Sequence, residues 1–400
     1  MTRRTSTNQA MPPVTSYGDF PRCAEVMIIG GGVIGVSTAF HLTEAGVSDV
    51  ILLESESLGS GSTCKAAGGI RAQFSDHINV ELGKRSLHAF QNFARRPGGE
   101  IDLHQVGYLF LLDNPADLAF FEQSVALQNE LGVPSRIVTP AEAAALSPLI
   151  DTSGLIAAAF SPTDGHCTPE SVVLGYATAA RQRGARLVPN SPVLGINVRP
   201  DGGFEVRTAA GRISADTVIC AAGAWSQQVG QWVGVELPVT PLRRQVAVTG
   251  PVSDLPGNLP MTIDFSSTLY FHAEGRGLLI GMSDPDEKPG FKLNWSPEWL
   301  PRLSEAMSHR APRLLDCGIA SGWAGLYEVT PDHNALIGEA DADGRFLYAT
   351  GFSGHGFLMA PAVGEVLRDL YLRVPPAVDV TPLHASRFAA SSGRRELNIV

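Results

Sequence analysis

Cysteine is scarce in this chain, and the five present, Cys23, Cys64, Cys167, Cys220 and Cys317, show no CxxC spacing. An odd, scattered set suits free thiols in a reducing compartment, so neither a disulfide framework nor a metal site is expected. No run approaches the roughly 18 unbroken apolar residues that a membrane span requires. Basic charge is short as well: 30 Lys and Arg stand against 40 Asp and Glu, a formal charge of −10, which gives no field to hold a phosphate backbone. No nucleic-acid partner and no membrane partner are therefore expected. Residues 1–23 carry the pair Arg3 and Arg4 without the apolar run of a secretory signal. They read as a disordered leader, and the expected location is cytoplasmic.

What is present is enough apolar material, 44% of 400 residues, for two domains with real cores. Val26, Met27, Ile28 and Ile29 form a short continuous apolar run, the pattern of a strand buried on both faces. The turn Gly30-x-Gly32-x-x-Gly35 follows at once, then a helical pattern through Val36, Ala39, Phe40 and Leu42 that stops at Gly46. A second run, Val50 to Leu53, ends at Glu54, completing a βαβ unit. Such a turn lets a pyrophosphate approach the backbone at a helix N-terminus, and an acid at the end of the second strand accepts from ribose hydroxyls, which disfavours a 2′-phosphate.

Farther along, residues 77–96 read as an amphipathic helix, and Thr168-Pro169-Glu170 opens another that stops near Gly184. Residues 193–216 read as hairpins, residues 238–323 as an alternating β-rich region with a helical patch over 298–310, and Asp341 to Asp343 as a solvated turn. A strand over 346–349, a glycine-dense turn and a helix from Phe357 to about Leu372 close the pattern. The expected fold is α/β, with a Rossmann-like nucleotide domain assembled from residues 24–104, 161–234 and 327–374. An inserted antiparallel β-rich substrate domain takes residues 105–160 and 235–326, and residues 375–400 form a C-terminal tail.

Leu58-Gly59-Ser60-Gly61-Ser62-Thr63 adds a second small-residue loop after Glu54, which shifts the expected dinucleotide from NAD to FAD. With residues 59–73 (GSGSTCKAAGGIRAQ), Asp164-Gly165, Ala221 to Trp225 (AAGAW), Thr330-Pro331-Asp332 and residues 351–357 (GFSGHGF), the chain resembles the D-amino-acid oxidase superfamily. Within it, the resemblance is to the amine-oxidising branch of sarcosine oxidases, dimethylglycine dehydrogenases and the FAD subunit of proline dehydrogenase. It implies a GR2-type FAD-binding domain with pyrophosphate on Gly30, Gly32, Val33, Ile34 and Gly35, and ribose on Glu54. It places ribityl and flavin contacts on Ser62, Thr63, Lys65, Ala66, Gly68 and Gly69, and adenine on the Val193 backbone. Ala222, Gly223 and Trp225 lie near the cofactor, and Gly354, His355, Gly356 and Phe357 at the flavin pyrimidine edge, where a helix N-terminus suits the charge of the reduced ring.

Departures from the family pattern set further expectations. Members with covalent flavin attach it through a His where this chain has Lys65, or a Cys where it has Gly325, so FAD is expected to be non-covalent. Leu358 stands where some members carry a substrate Lys, and Leu279 where some carry a Lys that favours oxygen reduction. Arg71 aligns with the Arg that grips the amino-acid carboxylate, a task suited to a planar fork. The expected catalytic set is Arg71, His355, Tyr270 and Tyr327, with His272 a further candidate for the cavity wall. The implied activity is oxidation of a C–N bond of a small amino acid or secondary or N-alkyl amine to an imine. The alternatives are an FAD subunit of a multi-subunit dehydrogenase, a non-catalytic assembly factor and a flavin monooxygenase. An electron-acceptor protein or second subunit is left open as a partner.

Overall fold

The computed structural model describes residues 20–340, 345–390 and 395–396. A first sheet of eight strands places Cys23–Ile29 at its centre, flanked in parallel by Gly211–Cys220 and Val50–Leu53. Arg186–Val188 continues one side in parallel; Phe346–Thr350 and then the antiparallel Leu336–Glu339 continue the other. Val193–Val198 and Phe204–Thr208 extend Gly211–Cys220 as antiparallel partners. The apolar runs are continuous because both faces of this sheet are covered. Val26 and Ile28 join one core with the helices Val33–Glu44, Pro169–Gln182 and Gly356–Leu372, while Met27 and Ile29 join a second core on the opposite face.

Helix Val33–Glu44 is buried from Val33 to Thr43 because two helices lie against it. Ser37 Oγ donates to the Ala360 carbonyl at 2.9 Å, and a Cβ on Gly364 would stand 2.3 Å from that hydroxyl, so glycine permits the close crossing. The helix expected over 77–96 ends at Gln91; its start is fixed by Asp76, which accepts from the backbone N–H of Ile78 and Asn79.

The second eight-stranded sheet runs Ile319–Val329, Thr240–Thr249, Gly277–Met282, Tyr270–Glu274, Met261–Asp264, Tyr108–Leu112, Ala157–Ser161, Arg136–Val138. Its pairings are antiparallel except one: Met261–Asp264 runs parallel to Tyr108–Leu112. These strands come from distant parts of the chain, so no hairpin constrains their direction. Helix Leu300–Arg310 packs Leu303 and Met307 onto the sheet, and the fully buried Arg310 pairs with Asp264 at 2.7 Å.

Two boundaries differ from expectation. The leader lies outside the described residues as far as residue 19, but Phe20 packs against the core and the first strand already starts at Cys23. The C-terminal segment is no mere tail: Val378, Val380 and Leu383 are buried, Arg387 pairs with Asp332 at 2.8 Å, and the buried Glu396 accepts from Ser75 Oγ at 2.7 Å. Short 3₁₀ turns carry no hydrophobic period by which a sequence could reveal them. The acidic turn at residues 341–343 lies outside the described residues.

Candidate cofactor and substrate site

A cavity of about 480 Å³ extends from the C-terminal ends of the first sheet's central strands to the inner face of the second sheet. Every residue expected at the cofactor or the substrate lines it, except Gly35 and His272. Gly35 acts one layer back: a Cβ there would lie 2.0 Å from the Gly30 carbonyl oxygen. Gly30 itself has φ +109°, and a Cβ on it would lie 2.2 Å from the Ala221 carbonyl. The two glycines bring turn, helix and neighbouring strand into contact, whereas a Cβ on Gly32 would meet only Thr63 Oγ1, at 3.2 Å.

At this end Glu54 accepts from the Gly31 N–H at 2.7 Å, and Thr63 Oγ1 accepts from the Val33 N–H at 3.1 Å. No side chain caps helix Val33–Glu44 at Gly32 or helix Gly356–Leu372 at His355. Two helix N-termini therefore face one cavity, the first with only its Val33 N–H answered by a side chain, Thr63, and each offers backbone donors and a positive dipole end. A long dinucleotide with one anionic group at each of these points fits such a donor set.

At the other end three tyrosines converge, each on a glycine. A Cβ on Gly69, Gly281 or Gly354 would collide with the Tyr108 hydroxyl, the Tyr270 ring or the Tyr327 ring respectively. Burial pushes all three phenols above their ordinary range, so they are neutral donors. Arg71 is buried here, its guanidinium donating to the Gln73 carbonyl and to His355 Nε2 at 3.1 Å, with its carbon 4.2 Å from the centre of the Phe74 ring. Arg71 thus engages protein acceptors and does not pair with Asp76 as a simple ion pair; Asp76 serves as the helix cap. His272 does not line the cavity. Its ring nitrogens lie 2.8 Å from the Ala273 carbonyl and 2.9 Å from that of Ala67, which supports the Ala66–Gly68 loop from behind. Leu358 lines the cavity; Leu279 is buried elsewhere.

Sequence reasoning missed Tyr108, Arg244 and Glu328, all of which line the cavity. Glu328 accepts from Thr350 Oγ1 at 3.0 Å and from the Gly351 N–H at 3.2 Å, tying the second sheet to the GFSGHG turn. Burial raises its carboxyl to about 7. Asp164, which accepts from the Ala72 N–H at 3.1 Å, is raised to about 7 for the same reason. Lys65 and Gly325, the two positions of covalent attachment in relatives of this kind, lie side by side: a Cβ on Gly325 would stand 3.0 Å from Lys65 Cβ.

Comparison with known proteins agrees with this geometry. The chain is 31% identical to mitochondrial dimethylglycine dehydrogenase of Mus musculus over 91% of its own length and 44% of the relative's. It is 31% identical to mitochondrial sarcosine dehydrogenase of Homo sapiens, over 92% of its length and 42% of the relative's, so it spans less than half of either. The crystal structure of L-proline dehydrogenase from P. horikoshii superimposes with a TM-score of 0.88 at 34% identity, covering 94% of this chain and all of that one. The family model of FAD dependent oxidoreductases, DAO, matches residues 25–370, and the chain therefore belongs to the DAO family of FAD-dependent oxidoreductases.

Proposed function

We propose that this protein oxidises a C–N bond of a small amino acid or of a secondary or N-alkyl amine to the imine, with FAD held non-covalently. The observation that carries this reading is the composition of the cavity's far end: three neutral tyrosines and a His engaged by Arg71, next to a bare helix N-terminus. The relatives named above are dehydrogenases of dimethylglycine, sarcosine and L-proline, all amino acids with a substituted nitrogen.

Bound FAD supplies the two-electron acceptor. The turn from Gly30 to Gly35 and Glu54 would hold its pyrophosphate and ribose, and residues from Ser62 to Gly69 together with Gly354 to Phe357 its flavin end. The chain's own contribution is orientation and electrostatics. The aromatic wall excludes water from the reacting carbon and favours the neutral amine, which needs no side-chain base to yield its electrons. The positive end of helix Gly356–Leu372 favours negative charge that develops against it. Arg71 donates to His355 Nε2, which requires an acceptor nitrogen there and so keeps that ring neutral.

The test is anaerobic mixing of the purified holoprotein with sarcosine, dimethylglycine, L-proline and glycine. Bleaching of the flavin band by one of them is expected. Bleaching by NADPH, and by none of these amines, would instead identify a monooxygenase and overturn the proposal.

A further inference from the structure

We propose that Arg244, and not Arg71, receives the substrate's carboxylate, and that the enzyme therefore selects amines carrying an acid group. This rests on the amine-oxidising reading above and goes one step further, to the group that sets specificity.

Arg243 and Arg244 are consecutive on strand Thr240–Thr249, so their side chains leave opposite faces of the sheet. Arg243 points away from the cavity and is fully matched, with Glu287 at 2.6 Å and the Asn294 carbonyl at 2.8 Å. Arg244 points into the cavity and is not matched. Its guanidinium donates to the Arg243 carbonyl, at a long 3.2 Å, and its carbon lies 5.1 Å from the centre of the Tyr327 ring. Its Nε is buried without a hydrogen bond, and no carboxylate pairs with it among the described residues. A buried guanidinium donor without an acceptor is costly, so a cavity that keeps one aims it at a ligand.

The surroundings specify an anion. Directly across the strand pair from Arg244 is Gly325, whose missing side chain leaves the guanidinium room, and beside Gly325 is Lys65, which also has no acidic partner among the described residues. Glu328, the cavity carboxyl on the same sheet, is bound to Thr350 and Gly351. The other lining acids, Glu54 and Glu56, belong to the nucleotide end, where Glu54 accepts from the Glu56 N–H at 2.8 Å. Arg71, in contrast, already donates to Gln73 and His355, which makes it a positioning residue for the GFSGHG turn. A carboxylate on Arg244 would also be within reach of Tyr270 and Tyr327, neutral phenols able to donate to it.

The test needs no turnover. Furan-2-carboxylate and furan-2-carboxamide, which have the same ring and no oxidisable amine, are titrated into the oxidised holoenzyme and followed by the flavin absorption band. The acid should bind at least tenfold more tightly than the amide. Arg244→Met should abolish that preference at an unchanged FAD-to-protein ratio, and Arg244→Lys should restore part of it. An Arg244→Met variant that keeps the preference overturns the assignment, as does one that loses acid and amide equally. Loss of the preference in Arg71→Met but not in Arg244→Met returns the carboxylate to Arg71. Amine bleaching reports separately on the reaction: bleaching without acid selectivity sinks this inference alone, and acid selectivity without bleaching sinks the proposed reaction and leaves Arg244 as the anion site.

Discussion

Lys65 and Gly325 meet at the cavity wall, and neither offers the imidazole or thiol that the sequence resemblance associates with covalent flavin at these positions. Acid or heat denaturation should therefore release all of the cofactor into solution as FAD; yellow colour left in the precipitated protein would contradict this. Glu328 makes a second prediction. Its folded-state carboxyl titrates near 7 because burial outweighs the hydrogen bonds from Thr350 and Gly351, while an unfolded glutamate titrates near 4.5. Between these values the unfolded chain binds fewer protons, so stability falls as pH rises through this window, by up to about 1.4 kcal/mol per pH unit. Glu328→Gln should flatten the slope of urea-unfolding free energy from pH 5 to 7, with Asp164 retaining its own share of it. Equal slopes in the two proteins would show that the Glu328 carboxyl is not the source.

At this scale the sequence revealed motif residues better than pocket residues. The glycine turn and the loop from Ser62 to Gly69 are local, so their spacing carries their geometry. Tyr108 and Arg244 reach the cavity only because a parallel strand pairing and a cross-strand register bring them there. Arg71 was found, yet the acceptors its guanidinium reaches, Gln73 and His355, include one 284 positions away, which no spacing shows.

The elements that matter most are two helices whose N-cap residues, Gly32 and His355, make no side-chain cap bond. A helix start left bare inside a protein is unstable unless a ligand or a backbone turn answers its donors. The turn before Val33–Glu44 depends on Gly35, whose hydrogen lies against the Gly30 carbonyl. Gly35→Ala must displace backbone on one side or the other, and FAD affinity should fall at least tenfold while the second sheet still folds. The FAD-to-protein ratio after dialysis measures this, and full retention would mean that the turn can open without losing its ligand. The helix start at Pro169 was legible from its Pro, whereas those at Pro115 and Pro140, where Asn114 and Thr139 cap the helix as well, were not read. The second sheet was legible as strands but not as an order, because eight strands drawn from separate stretches of chain leave the pairing to long-range packing.

On the scale of the whole molecule, Trp225, which lines the cavity just after strand Gly211–Cys220, stacks on Phe291, from the segment that follows Gly277–Met282, with ring centres 5.5 Å apart although both are exposed. Such a pair contributes about 0.5–1.5 kcal/mol. Phe291→Ala should therefore speed FAD dissociation by up to about tenfold, read from the rise of flavin fluorescence on dilution. An unchanged rate would show that this contact does not help retain the cofactor.

Helix Val33–Glu44 and helix Gly356–Leu372 cross at Ser37 and Ala360, and this contact has a consequence during biosynthesis. The dinucleotide turn is synthesised well ahead of the helix that covers it. At ordinary translation rates the interval is on the order of tens of seconds. Throughout it, the inner face of Val33–Glu44 lacks its partner, and the nascent chain cannot close a pocket around the cofactor. Loading thus waits for residues 356–372, and a message cut short before Gly356 yields a product with a recognisable nucleotide turn and only the Ser62–Gly69 part of the flavin's cradle.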